Sequence, residues 1–149
     1  RDLNGTTYKV HLDGHDQLDY LTGAVSESPR VHFFYVSDDG DLTAVRYDNW
    51  KVVFLEQRAT GTLQVWAEPY TELRVPKIFN LRTDPYERAD LTSNTYYDWL
   101  IDRAWVLVPA QMFVANMLAT LVEFPPRQEP ASFGIDKVMA KLQAGVAST

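Results

Sequence analysis

The chain has 149 residues, 46% of them hydrophobic, a formal net charge of -6 and no cysteine. That length and apolar content support one domain with a real core and leave too little for two. The acidic balance argues against nucleic acid or anionic lipid held by bulk electrostatics, and the missing cysteine excludes a disulfide framework, a thiolate nucleophile and cysteine-ligated zinc, leaving the compartment open.

Arg1 is not an initiator methionine, and "RDLNGTTYKVHL" lacks the apolar stretch of a secretion signal, so the sequence reads as a piece of a longer chain. Residues 1–30 form a lead-in. It holds an Asn4-Gly5 turn signal, a short strand expected over "TTYKVHL" (6–12), a helical turn over "QLDYLTG" (17–23) closed by Gly23, and the linker "AVSESPR". Residues 31–81 read as an antiparallel sheet. "VHFFYV" (31–36), "LTAVRY" (42–47) and "WKVVFLE" (50–56) are separated by the turn formers "SDDGD" and "DN", as in a meander. "TLQVW" (62–66) and "KIFNL" (77–81) add strands, for four or five in all.

Alternation along these strands places Val31, Phe33 and Tyr35 on one side and Phe34 and Val36 on the other, with Val52 and Phe54 opposed to Val53 and Leu55. Both faces are apolar, which calls for two covering layers. The sequence supplies one, the stretch 94–124. Its segment from Ala104 to Val122 carries no charge and satisfies the length rule for a membrane span. At 100° per residue, however, Asp98, Asp102, Pro109, Asn116, Thr120 and Glu123 recur on one stripe, the pattern of a long amphipathic helix with Pro109 on its solvent side. A kink or break is expected at Pro109, Thr95 with Asp98 reads as an N-terminal cap, and "PPRQEP" (125–130) ends the helix. A short terminal helix is expected over 135–143. The fold class is therefore α+β, an antiparallel sheet packed with one long, proline-kinked helix, in a single domain spanning 1–149.

Candidate chemistry is sparse. His11 and His15 have helical metal-ligand spacing, but Asp13-Gly14 between them reads as a turn and no third ligand lies near. "SDDGD" (37–41) lacks the register of a calcium loop and reads as a hairpin turn. Neither a G-x-S-x-G elbow nor a glycine-rich phosphate cradle occurs. No catalytic residue and no metal ligand is assigned.

The densest cluster of charge is "LRTDPYERADL" (81–91). It falls within the connection 82–93 between a strand and the long helix, where free backbone N–H groups need acceptors. Asp84 before Pro85 fits the start of a type I turn whose amides its carboxylate can accept from; Glu87 can do the same one turn later, or pair with Arg82 or Arg88. Leu81, Asp84, Pro85 and Glu87 are thus read as a structural turn motif.

Three stretches, "DGHDQLDYLTG", "SPR" leading into "HFFYVSDDGDLTAVRYDNWKVVF", and "KIFNLRTDPYERADLT", resemble the C-terminal region of bacterial arylsulfatases. Leu81-x-x-Asp84-Pro85-x-Glu87 matches that family's late turn motif, and Ala44-Val45-Arg46 with Trp50-Lys51 its sheet motif. The resemblance implies a small antiparallel sheet with a long helix, appended to a large catalytic domain of the alkaline-phosphatase kind. It also implies sulfate-ester hydrolysis by a formylglycine beside a divalent cation, usually calcium, held in that other domain. This chain alone is then inactive, its partner is the N-terminal catalytic domain, and an uncovered sheet face such as Phe33, Tyr35, Val52 and Phe54 or the opposite set predicts self-association in isolation. Neither nucleic acid nor a membrane span is expected. The competing reading is a free-standing interaction module that uses an apolar sheet face.

Overall fold

The computed structural model describes residues 2–125. The expected terminal helix at 135–143 lies outside them. Asn4 and Gly5, with φ of +49° and +79°, make the turn of a two-residue hairpin, β1 (Asp2–Leu3) and β2 (Thr6–Thr7). Both positions of such a turn need positive φ, which Asn and Gly tolerate best. The strand expected over 6–12 stops at Thr7, where its ladder with the two-residue β1 ends. One helical turn, α1 (Leu18–Leu21), ends in Gly23 at φ +78°.

Four strands then form one antiparallel sheet in the order β3 (His32–Val36), β4 (Leu42–Tyr47), β5 (Trp50–Glu56) and β6 (Thr71–Asn80). "SDDGD" turns β3 into β4: the Ser37 N–H donates to the Asp41 carbonyl at 2.9 Å, and Gly40 takes φ +85°. "TLQVW" is not a strand. Its end belongs to a helical turn, α2 (Gln64–Ala67), while the last strand begins earlier than expected, at Thr71. β6 pairs Val53 with Lys77 but Leu55 with Glu72, so Leu73–Pro76 bulge out of the ladder. Pro76 has no N–H for a regular ladder position, and a bulge accommodates it.

Register defines the two faces. One carries the row Phe34, Val45, Val52, Ile78 and the row His32, Tyr47, Trp50; the other carries Phe33, Arg46, Lys51, Phe79 and Tyr35, Ala44, Val53, Lys77. Phe33 and Tyr35 therefore share a face with Val53, not with Val52 as the sequence reading grouped them. The second face is also not apolar: Arg46, Lys51 and Lys77 project from it.

After β6 the chain makes a short helix α3 (Ala89–Thr92), then α4 (Tyr96–Asp102), a 3-10 turn (Ala104–Val106) and α5 (Leu107–Glu123). The expected single helix over 94–124 is interrupted at Arg103, upstream of Pro109. Pro109 is the third residue of α5, where the absent N–H would have no partner in any case, so the proline is tolerated and the helix restarts just before it. Thr95 stands at the N-cap of α4 without a side-chain capping bond. Trp99, Trp105 and Phe113 contact Trp50, Tyr47 and His32, and the Tyr47 hydroxyl donates to the Val106 carbonyl at 2.8 Å. These segments thus cover the face of Val45 and Val52. Ala44, Val45, Val52, Val53, Ile78, Phe79, Tyr96, Leu100, Val106 and Ala110 form the buried core.

The polar stripe exists but sits on a flank of α5. Ala110 faces the sheet, whereas the side facing away presents Val108, Met112 and Val122, all exposed. Ala104–Glu123 is long and apolar enough to cross a bilayer by length and composition.

Candidate functional site

The connection from β6 to α4 lies over the charged face of the sheet. Leu81 anchors it, half-buried against the core, with its N–H donating to the Asn49 carbonyl at 2.7 Å in the β4–β5 hairpin. The Glu87 N–H donates to the Asp84 carbonyl at 3.2 Å across Pro85 and Tyr86. Asp84 accepts at one carboxylate oxygen from the Arg88 N–H (3.1 Å) and at the other from the Ala89 N–H (2.9 Å), two amides at the start of α3. Pro85 itself is exposed.

Glu87 turns away from Arg82 and Arg88, the partners expected from sequence proximity. Its two carboxylate oxygens each lie 2.8 Å from Lys51 Nζ on the central strand β5, and its backbone takes φ +53°. Lys51 also lies 4.3 Å from the centroid of the Tyr35 ring, a cation–π contact.

A second ionic group, which the sequence reading missed, ties α3 to the same face. The buried Lys77 contacts Asp90 (2.6 Å) and Glu56, and Arg58 Nε donates to Glu56 at 2.7 Å. Burial works against the Lys77 ammonium, but hydrogen bonds to Asp90 and Glu56 outweigh it and hold its pKa above the usual lysine value. Burial likewise works to raise Glu56, and the hydrogen bonds from Arg58 and Lys77 bring it below the usual carboxylate value. A lysine at an inward position of a strand, opposite Val53, was the available signal.

Tyr96 was missed as well. Its hydroxyl donates to the Ile78 carbonyl (3.0 Å) and accepts from the Ile78 N–H (3.1 Å), so one side chain satisfies both backbone groups on the free edge of β6. Burial pushes its pKa up to about 12.

None of these groups is arranged for acid–base exchange with a ligand. The carboxylates Glu56 and Asp90 share one ammonium, and Glu87 is engaged by another. His11 lies 3.3 Å from Asp13 and against Phe124. Among the described residues, no three His, Asp or Glu side chains gather as a metal-holding group.

A family model described as the C-terminal region of aryl-sulfatase matches residues 27–139. The chain belongs to that family. The match takes in the sheet motif at 44–51 and the turn motif at 81–87 and leaves out "DGHDQLDYLTG", which lies before it. In this aryl-sulfatase C-terminal region, Lys51 with Glu87 and Lys77 with Glu56 and Asp90 join strand, turn and helix. Among solved structures, the PsFucS1 sulfatase from Pseudoalteromonas sp. aligns with 69% of the chain at 24% identity and a TM-score of 0.49. The chain spans 19% of the length of that protein. No curated protein matches significantly.

Proposed function

We propose that this chain is the C-terminal structural and pocket-wall subdomain of an arylsulfatase-like enzyme that hydrolyses sulfate esters. The nucleophile, a formylglycine, and a divalent cation of the calcium type belong to an N-terminal catalytic domain in the same parent protein. The observation that carries this reading is the family match over 27–139. The charged face of the sheet supports it. The turn covers that face at β5 and β6, while at β3 and β4 Phe33 (44% exposed) and Arg46 stand open. That open half is the surface assigned to the catalytic domain. The role of this chain's own residues is then positional: Lys51, Glu87 and Asp84 fix the turn against the sheet, so that the surface beside it is held rigid.

Aryl sulfate hydrolysis by the purified 149-residue chain and by its parent protein, each with and without calcium, tests the reading. The parent is expected to turn over and the chain alone to show none. Metal-dependent turnover by the chain that persists through repeated purification, or a parent inert toward sulfate esters, would overturn it.

A further inference from the structure

The open half of the charged face is not flat. Arg30, Phe33, Tyr35 and Arg46 line a depression of about 720 Å³ there, within the range of small-molecule sites, about 300–1,000 Å³. Register builds it. Phe33 and Arg46 are direct cross-strand partners on β3 and β4, so their side chains stand together on this face. Arg30, just ahead of β3, lays its guanidinium 5.6 Å from the centroid of the Phe33 ring. Phe33 thus has a cation on its ring and another beside it across the ladder. An edge-to-face contact with Tyr35, 4.9 Å between centroids, steadies the ring while it stays 44% exposed.

These two guanidiniums differ from the neighbouring lysines in being uncommitted. Lys51 and Lys77 on the same face are held by Glu87, Glu56 and Asp90, whereas among the described residues the arginines within ion-pair distance of a carboxylate are Arg58 and Arg103. Arg46 has one nitrogen engaged, its Nε donating to the Asp48 carbonyl at 3.2 Å, which fixes the side chain and leaves the terminal nitrogens as donors. Glu27 and Asp48 also line the depression, but neither carboxylate pairs with either arginine.

We propose that this depression binds a ring carrying an oxyanion, a carboxylate or a sulfate, the ring lying on Phe33 and the oxyanion held by Arg30 and Arg46. A guanidinium presents a planar fork of donors that matches paired oxygens, and an exposed aromatic face takes a flat or apolar ring. The identity of the ligand rests on the function proposed above. Where the catalytic domain lies against this half of the sheet, the depression walls the cleft between them. Its ligand is then the part of a sulfate ester that bears a second anionic group, remote from the ester that is cleaved. This chain selects the substrate, and the bond-breaking stays in the other domain.

Titration of the 149-residue chain with para-sulfobenzoate, which has the ring and two anionic groups but no ester, tests the site directly by NMR. The Phe33 and Tyr35 ring signals and the Arg46 Nε–H should shift, and inorganic sulfate and benzyl alcohol should each bind more weakly. Arg30→Gln and Arg46→Gln, both at exposed positions, should each weaken binding about tenfold with an unchanged circular dichroism spectrum. Asp48→Asn removes a carboxylate from the rim and tolerates the φ of +49° there, so it should tighten binding. In the parent protein, Arg46→Gln should raise KM for para-carboxyphenyl sulfate about tenfold and leave kcat and the KM for phenyl sulfate unchanged. The two readings fail separately. Binding by the chain beside a parent inert toward every sulfate ester retains the oxyanion site and removes the sulfatase reading. Absence of binding, binding indifferent to both arginine substitutions, or weakening by Asp48→Asn would overturn the site. So would a parent that cleaves both esters while its Arg46→Gln variant matches the native enzyme.

Discussion

Glu87 holds a torsion few residues adopt and an ion pair that only its side chain can make. A φ of +53° costs an L side chain about 1 kcal/mol, and Lys51 holds the carboxylate in place. Glu87→Gly loses the pair and relaxes the torsion; Glu87→Ala loses the pair and keeps the strain. Urea unfolding should therefore find the glycine variant more stable than the alanine variant by about 1 kcal/mol, and equal stabilities would mean that the turn relaxes around alanine. Asp84 acts on amides instead. Because its two oxygens serve the Arg88 and Ala89 N–H groups, Asp84→Ala should cost about 1 to 2 kcal/mol and Asp84→Asn, which keeps one acceptor, less. An alanine variant as stable as the native chain would show that water replaces the carboxylate there.

Elements show the same economy of backbone partners. β6 is an edge strand, and Tyr96 from α4 closes its ladder at Ile78 with a hydroxyl that is 2% exposed as part of its residue. Tyr96→Phe keeps the ring stacked near Phe79 but strands a buried N–H and C=O, at a cost of about 2 kcal/mol. Hydrogen exchange should show the Ile78 amide losing protection first. The phenol's pKa is raised by burial from 10.0, so its contribution is full below pH 10.0 and fades as pH rises toward about 12. The phenylalanine variant should lack that part of the alkaline decline. Pro109 gives the contrasting case. In a helix interior its replacement would recover about 3 kcal/mol; in the first turn of α5, Pro109→Ala should change stability by less than about 1 kcal/mol.

At the scale of the molecule, the chain passes around the edge of β6. Turn and α3 are strapped to one face through Lys51–Glu87 and Lys77–Asp90, and α4 and α5 lie on the other. Acid should weaken the ionic group around Lys77. Glu56 has a folded pKa below its ordinary 4.5, so its contribution is present above pH 4.5 and lost as pH falls through the lower folded value. Glu56→Gln should flatten the stability profile below pH 4.5, leaving Lys77 with Asp90; a profile as steep as the native one would place the acid sensitivity elsewhere.

Local patterns sufficed for much of this. Period-two alternation marks β3, β4 and β5, "SDDGD" and "DN" mark their turns, Asn4-Gly5 marks the turn between β1 and β2, and the proline with its flanking charges marks the connection after β6, because each depends on neighbours a few residues away. The family was legible from the same short motifs. What distance along the chain separates, only the tertiary structure brought together. Glu87 chooses Lys51, 36 residues away, over the adjacent arginines because register places that ammonium beneath the turn. Lys77 becomes a buried hub because the register puts it opposite Val53, within reach of Glu56 and of Asp90 from the connection. The polar stripe on α5 was counted correctly, but it lies on a flank and not at the centre of the exposed side. Periodicity gives the angles between residues on a helix; which of those angles meets the sheet is decided by the packing of Ala110 and Phe113 against it.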